Sequence, residues 1–97
     1  MTTFSELGIN KSYIKALKEL NIVNPTEIQE TVIPILLDSK TDLIGLAQTG
    51  TGKTAAFGLP VLHAIDKNNS DVQALIIAPT RELVQQIQKQ LFRYTKY

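Results

Sequence analysis

The stretch that most constrains this chain is "AQTGTGKT", Ala47 to Thr54. It follows the short apolar run "DLIGLA", Asp42 to Ala47, and opens directly into "KTAAF". Two glycines, Gly50 and Gly52, let the backbone turn tightly and turn its N–H groups to one side. A buried strand feeding a glycine-rich turn and then a helix is an α/β arrangement, and few other architectures use it. A second apolar run, "ALIIAP" (Ala74 to Pro79), has the unbroken hydrophobicity of a strand covered on both faces. A helical pattern follows it, so the order strand, helix, strand, helix predicts parallel strands with flanking helices and right-handed crossovers.

Two further helices are predicted before the first strand. "NKSYIKALKEL" sets Tyr13, Ile14, Leu17 and Leu20 on one face and lysines on the other, with Asn10 or Ser12 able to cap it. In "NPTEIQETVIPILL", Asn24 suits an N-cap, Pro25 the first helical position, and Glu27 a capping box with Asn24. Ile28, Val32, Ile33 and Leu36 make its apolar stripe, and Pro34 removes one backbone bond and predicts a bend. Gly58 and Pro60 disturb the helix from Lys53 without ending it, and "DKNNSDVQ" reads as a polar loop. In "TRELVQQIQKQLFRY", Thr80 caps a helix whose predicted core face is Leu83, Val84, Ile87 and Leu91.

Composition narrows the classes. The chain has 97 residues, 43% hydrophobic and 20% charged, enough for one small globular domain. The absence of cysteine excludes disulfides and thiolate metal sites. A net charge of +1 does not by itself point to a nucleic acid or a membrane. No apolar run approaches the roughly 20 residues of a membrane span, and "MTTFSELGIN" lacks the features of a signal peptide, so a cytoplasmic location is expected. His63 has no evident partner, and Lys15 and Lys18 read as a solvated helix face.

Three segments carry chemistry. Gly52, Lys53 and Thr54 match the end of the phosphate-loop pattern G-x-x-x-x-G-K-[ST], with Ala47 in place of its first glycine. Backbone N–H groups of such a loop and the positive end of the next helix cradle phosphate oxygens. Lys53 adds a point charge for the terminal phosphates and Thr54 a hydroxyl for Mg²⁺. Gln29 carries an amide able to bond N6 and N7 of adenine, although taken alone it reads as a solvated helix residue. "PTREL", Pro79 to Leu83, sits at a strand end and a helix start, where N–H groups and Arg81 suit a phosphate; taken alone, it is a capped helix with a surface arginine.

Together these segments resemble the start of a DEAD-box ATP-dependent RNA helicase, from Phe4 to about Leu91. "AQTGTGKT" (47–54) resembles motif I, where alanine at the first position is usual. "PTREL" (79–83) resembles motif Ia. "NPTEIQ" resembles the Q motif, within a region 4–30 that includes the isolated upstream aromatic, Phe4. The resemblance implies a RecA-like, P-loop NTPase partial domain preceded by Q-motif helices. ATP and Mg²⁺ are then the expected cofactors. The implied nucleotide contacts are Phe4, Ile22, Pro25, Thr26, Gln29, Ala47, Gln48, Thr49, Gly50, Thr51, Gly52, Lys53 and Thr54. Lys53 and Thr54 carry catalytic roles, with Thr54 toward the metal. Pro79, Thr80 and Arg81 are expected on the RNA backbone, a sequence-independent contact. Asn21 and Ile22 stand where the family usually has glycine and an aromatic, and Thr41 where a glycine is common.

The Asp-Glu-Ala-Asp motif, the arginine fingers and the second RecA-like domain are not in these 97 residues. The expectation is an N-terminal portion of the ATP-binding domain that binds nucleotide weakly and does not hydrolyse it alone. Exposed strand edges are expected to favour oligomerisation. Two other readings stay open: a binding module without chemistry, and a P-loop nucleotide-binding protein with no RNA role.

Overall fold

A computed structural model of the chain describes residues 3–38, 42–47 and 52–97. Four helices form: α1 (Lys11–Glu19), α2 (Glu27–Asp38), α3 (Lys53–Ala64) and α4 (Arg81–Tyr94). α3 packs on both α2 and α4, and α1 leans on α4. Their shared core holds Phe4, Leu17, Ile33 and Leu59, all but fully buried, with Tyr13, Ala55 and Tyr94 around them.

α1 ends by a specific device. Asn21 adopts a left-handed backbone with φ 63°. Its N–H donates to the Lys18 carbonyl at 3.0 Å, and the Ile22 N–H donates to the Leu17 carbonyl at 2.8 Å. That pair of bonds is a Schellman termination, which needs a left-handed residue just past the helix. Asparagine tolerates that conformation better than any other non-glycine residue. The departure at Asn21 therefore keeps the turn that a glycine makes. Ile22 follows it, half-buried against the core.

α2 starts later than the Asn24–Glu27 box predicts. Thr26 is the capping residue. Its N–H donates to Gln29 Oε1 at 2.9 Å, and its Oγ1 accepts from the Gln29 N–H at 3.4 Å. This reciprocal pairing is the T-x-x-Q capping box. It wins because it satisfies two helix-start N–H groups at once, whereas Asn24 and Pro25 lie outside the helix. Pro34 sits inside α2, which runs on to Asp38, and Gly58 and Pro60 sit inside an unbroken α3.

The parallel strands are not formed among the described residues. Residues 42–47 and 72–78 form no strand, and no backbone hydrogen bond joins one to the other. A strand exists only through its ladder, so apolar sequence without a partner leaves an isolated extended segment. The first segment runs along α2, since a Cβ built at Gly45 would touch Ile28 and Val32. Its Ile44 is 90% exposed, and Ile77 of the second is 83% exposed. With no strand there is no strand edge, so the expected association through edges has no structural basis among these residues. What is exposed instead is apolar side-chain surface.

The face of α4 also differs from expectation. Ile87 and Tyr94 are buried and Leu91 half-buried, but Leu83 and Val84 stay exposed.

Candidate nucleotide-binding site

The site is built where α2 and α3 begin. Gly52, immediately before α3, has φ 85° and ψ 27°, a left-handed conformation. Having no side chain, it leaves the helix start without a side-chain cap. The first intrahelical bond runs from the Ala56 N–H to the Gly52 carbonyl at 3.2 Å. The N–H groups before Ala56 are thus available to an anion, on a helix end that carries partial positive charge.

Gln29 connects this helix start to α2. It is only 3% exposed. While its Oε1 accepts from Thr26, its Nε2 donates to the Gly52 carbonyl at 3.1 Å. A Cβ placed on Gly52 would fall on Gln29 Nε2 and press on Thr26 Oγ1. Glycine is therefore required here twice over, by its backbone angle and by the space the glutamine fills. A primary amide has two donor hydrogens and two acceptor lone pairs. The two observed bonds use one of each, so one donor and one acceptor remain. That remainder is the pair an adenine edge needs.

Lys53 is exposed, and its Nζ donates to the Ala47 carbonyl at 2.7 Å. This bond joins the end of the apolar run to the start of α3. Thr54 is half-buried. Both border an open cleft of about 790 Å³ that Ile22, Gln29 and Gly52 also line. The far wall of the cleft comes from α4, through Gln86, Gln90 and Tyr94. Sequence reasoning missed these three. Their i, i+4, i+8 spacing marks one helix face, and that row was the available signal.

Other predicted residues lie elsewhere. Phe4 is 2% exposed and belongs to the core. Pro25 and Thr26 are half-buried at the start of α2. Gln48, Thr49, Gly50 and Thr51 lie outside the described residues, as does Thr41. Pro79, Thr80 and Arg81 are exposed and do not line the cleft. Thr80 caps α4 as predicted, its Oγ1 accepting from the Leu83 N–H at 3.1 Å.

The donor set fits a nucleotide's phosphates: a glycine-led, uncapped helix start with a lysine beside it. For a divalent cation it offers the Thr54 hydroxyl. No group of three His, Asp or Glu residues suited to a metal ion occurs among the described residues. None of the described helices is long and apolar enough to cross a membrane.

Comparison with known proteins shows the family. Residues 26–97 match the DEAD/DEAH box helicase family model. The chain is 54% identical over 93 residues to the ATP-dependent RNA helicase CshA of Listeria monocytogenes, covering 96% of this chain and 18% of that protein. It is 47% identical over 97 residues to a Bacillus cereus DEAD-box ATP-dependent RNA helicase CshA, covering 100% of this chain and 18% of the relative. Among solved structures, S. cerevisiae Dbp5 bound to RNA and ADP BeF3 superposes with TM-score 0.93 at 34% identity, over 99% of this chain and 25% of that one. A DEAD box protein from Methanococcus jannaschii gives TM-score 0.91 at 33% identity, over 98% of this chain and 26% of that one. The fold is thus that of part of a helicase core. The chain belongs to the DEAD/DEAH box helicase family, and it spans about a fifth of the length of the curated relatives it matches.

Proposed function

We propose that this chain is the nucleotide-binding segment of an ATP-dependent RNA helicase, with a Q-motif region at 4–30, motif I at 47–54 and motif Ia at 79–83. The observation that carries the reading is the Gln29 amide, which holds the start of α2 through Thr26 and the start of α3 through Gly52. One side chain thereby ties the adenine-reading position to the phosphate-binding turn. An adenine base would take the remaining donor and acceptor of Gln29, with Ile22 and Pro25 giving apolar contact. The loop from Ala47 to Thr54 would hold the phosphates, with Lys53 moving from the Ala47 carbonyl to a phosphate oxygen. Thr54 would supply one oxygen ligand to Mg²⁺.

Pro79, Thr80 and Arg81 would meet the RNA backbone. Their exposure at the start of α4 supports this, since helix-start N–H groups and a free guanidinium suit phosphates. In the whole protein, ATP held here would be used to unwind or remodel RNA. Phosphoryl transfer requires positioned metal, water and charge. The described residues supply the cradle alone, so we expect binding without turnover from these 97 residues. Turnover by the purified chain that is lost in Lys53→Ala would refute that. Titration with fluorescent ATP and GTP analogues tests the binding claim: ATP should bind more tightly, and Lys53→Ala should weaken both.

A further inference from the structure

Charge on this molecule is segregated in a way the nucleotide site does not use. Six of the ten Lys and Arg residues lie on α1 and on the C-terminal end of α4 with the turn after it: Lys11, Lys15, Lys18, Lys89, Arg93 and Lys96. Only one of the nine Asp and Glu residues, Glu19, lies there with them. This end of the molecule therefore carries strong positive charge while the rest is net negative, and the overall +1 hides the difference.

The cations are ordered as well as numerous. Lys11, Lys15 and Lys18 are spaced i, i+4, i+7, which is one face of α1; Lys89 and Arg93 are i, i+4 on α4, and Lys96 follows just past its end. All six are exposed. The two rows meet where α1 leans on α4. Arg93 and Lys96 line a shallow hollow with Ala16 and Glu19 of α1. Tyr97 stands between the rows: Lys15 Nζ lies 4.1 Å from its ring centroid and Lys96 Nζ 5.5 Å. Its hydroxyl donates to Glu19 Oε1 at 2.6 Å, and Lys96 pairs with Glu19 Oε2 at 3.3 Å. Glu19 is thus occupied in holding the rows together, and Lys11, Lys18 and Lys89 make no ion pair among the described residues.

We propose that this double row is a second RNA-contact surface, taking the phosphodiester backbone without regard to sequence. It is separate from the one at Pro79–Arg81: Arg93 stands twelve residues along α4 from Arg81, about 18 Å by helix rise. Two converging rows of exposed cations match a single strand, whose phosphates pair with the cations, while Tyr97 and Glu19 hold the rows together. The choice of RNA over an acidic protein rests on the helicase reading above.

The test is anisotropy titration of the 97-residue chain with a labelled uridine oligonucleotide across a salt series. On a single strand, log K falls with log salt by about 0.7 per phosphate neutralised. We expect a slope steeper than about −2.8, that is, four or more phosphates, which Lys53 and Arg81 alone cannot supply. The triple change Lys11→Gln, Lys18→Gln and Lys89→Gln should flatten the slope by about 2 and weaken low-salt binding at least about tenfold. These three make no ion pair among the described residues, so the helical circular dichroism should be unchanged. Arg81→Gln, tested alone, should lose about one phosphate and keep the rest of the slope. A wild-type slope no steeper than about −1.4 would overturn the proposal even if the triple variant failed to fold. So would a triple variant that binds like wild type. Polyglutamate competing as well as RNA would assign the surface to an acidic protein partner instead. ATP affinity measured in the same samples separates these outcomes from failure of the nucleotide reading, because the triple change leaves Gln29 and Lys53 untouched.

Discussion

Gly52 and Gln29 constrain one another closely. Replacing Gly52 by alanine forces a left-handed backbone on an L side chain, at about 1–3 kcal/mol, and pushes the new Cβ onto the Gln29 amide. We expect Gly52→Ala to lower the melting temperature and to weaken nucleotide binding together. Gln29→Glu separates the two bonds of the amide. A carboxylate still accepts from the Thr26 N–H but cannot donate to the Gly52 carbonyl. The cap of α2 should survive while the tie to α3 is lost, so helix content holds and thermal stability falls by about 1–3 kcal/mol. His63 gives a residue-scale pH dependence. Its Nε2 accepts from the Asn10 N–H at 3.3 Å, and its ring lies 5.1 Å from that of Tyr13. Burial pushes its pKa below the ordinary 6.5, so the neutral form is favoured in the fold. Its contribution is complete above about pH 6.5 and is lost as pH falls through the lowered folded value. Melting temperature should be flat above neutrality and decline on mild acidification, and His63→Gln should remove that decline. A decline that persists in the variant would place its origin elsewhere.

At the scale of elements, the contact of α3 with α4 turns on Gly58. A Cβ there would lie 2.5 Å from Leu91 Cδ2. Alanine is a better helix former than glycine by about 0.8–1.0 kcal/mol, so the sign of Gly58→Ala depends on Leu91. In the native background the change should be neutral or destabilising. In a Leu91→Ala background it should stabilise, and a denaturant melt of the four proteins reads the reversal. The helices themselves were legible in the sequence: Tyr13, Leu17, Val32, Ile33 and Ile87 all fall on the predicted faces. The start of α2 was misplaced because two capping boxes overlap there, and choosing Thr26–Gln29 over Asn24–Glu27 depends on side-chain geometry. The role of Thr80 was legible because a cap is a local interaction, and Thr80→Ala should cost about 1 kcal/mol.

For the whole molecule, legibility divides between local and long-range causes. Membership of the helicase family could be read because it rests on short stretches of sequence. The strands could not, because a strand requires a partner that apolar composition does not supply, and Leu83 and Val84 stayed exposed for the same reason. The burial of Phe4 in the core was not legible, since an isolated aromatic in a polar segment gives no sign of where its ring packs. The exposure of Ile44, Leu46, Leu75 and Ile77 predicts binding of a hydrophobic dye by the folded chain, at temperatures well below its melt. Absence of such binding would mean that these side chains are covered in solution. The central claim is that Gln29 reads adenine while bracing the phosphate-binding turn, and nucleotide selectivity tests it most directly. The ratio of ATP to GTP affinity should be measured for the wild type, Gln29→Glu and Lys53→Ala. A preference for ATP that survives Lys53→Ala at weaker overall affinity, and disappears in Gln29→Glu, is the predicted result. Equal affinities in the wild type, or a preference unchanged in Gln29→Glu, would contradict it.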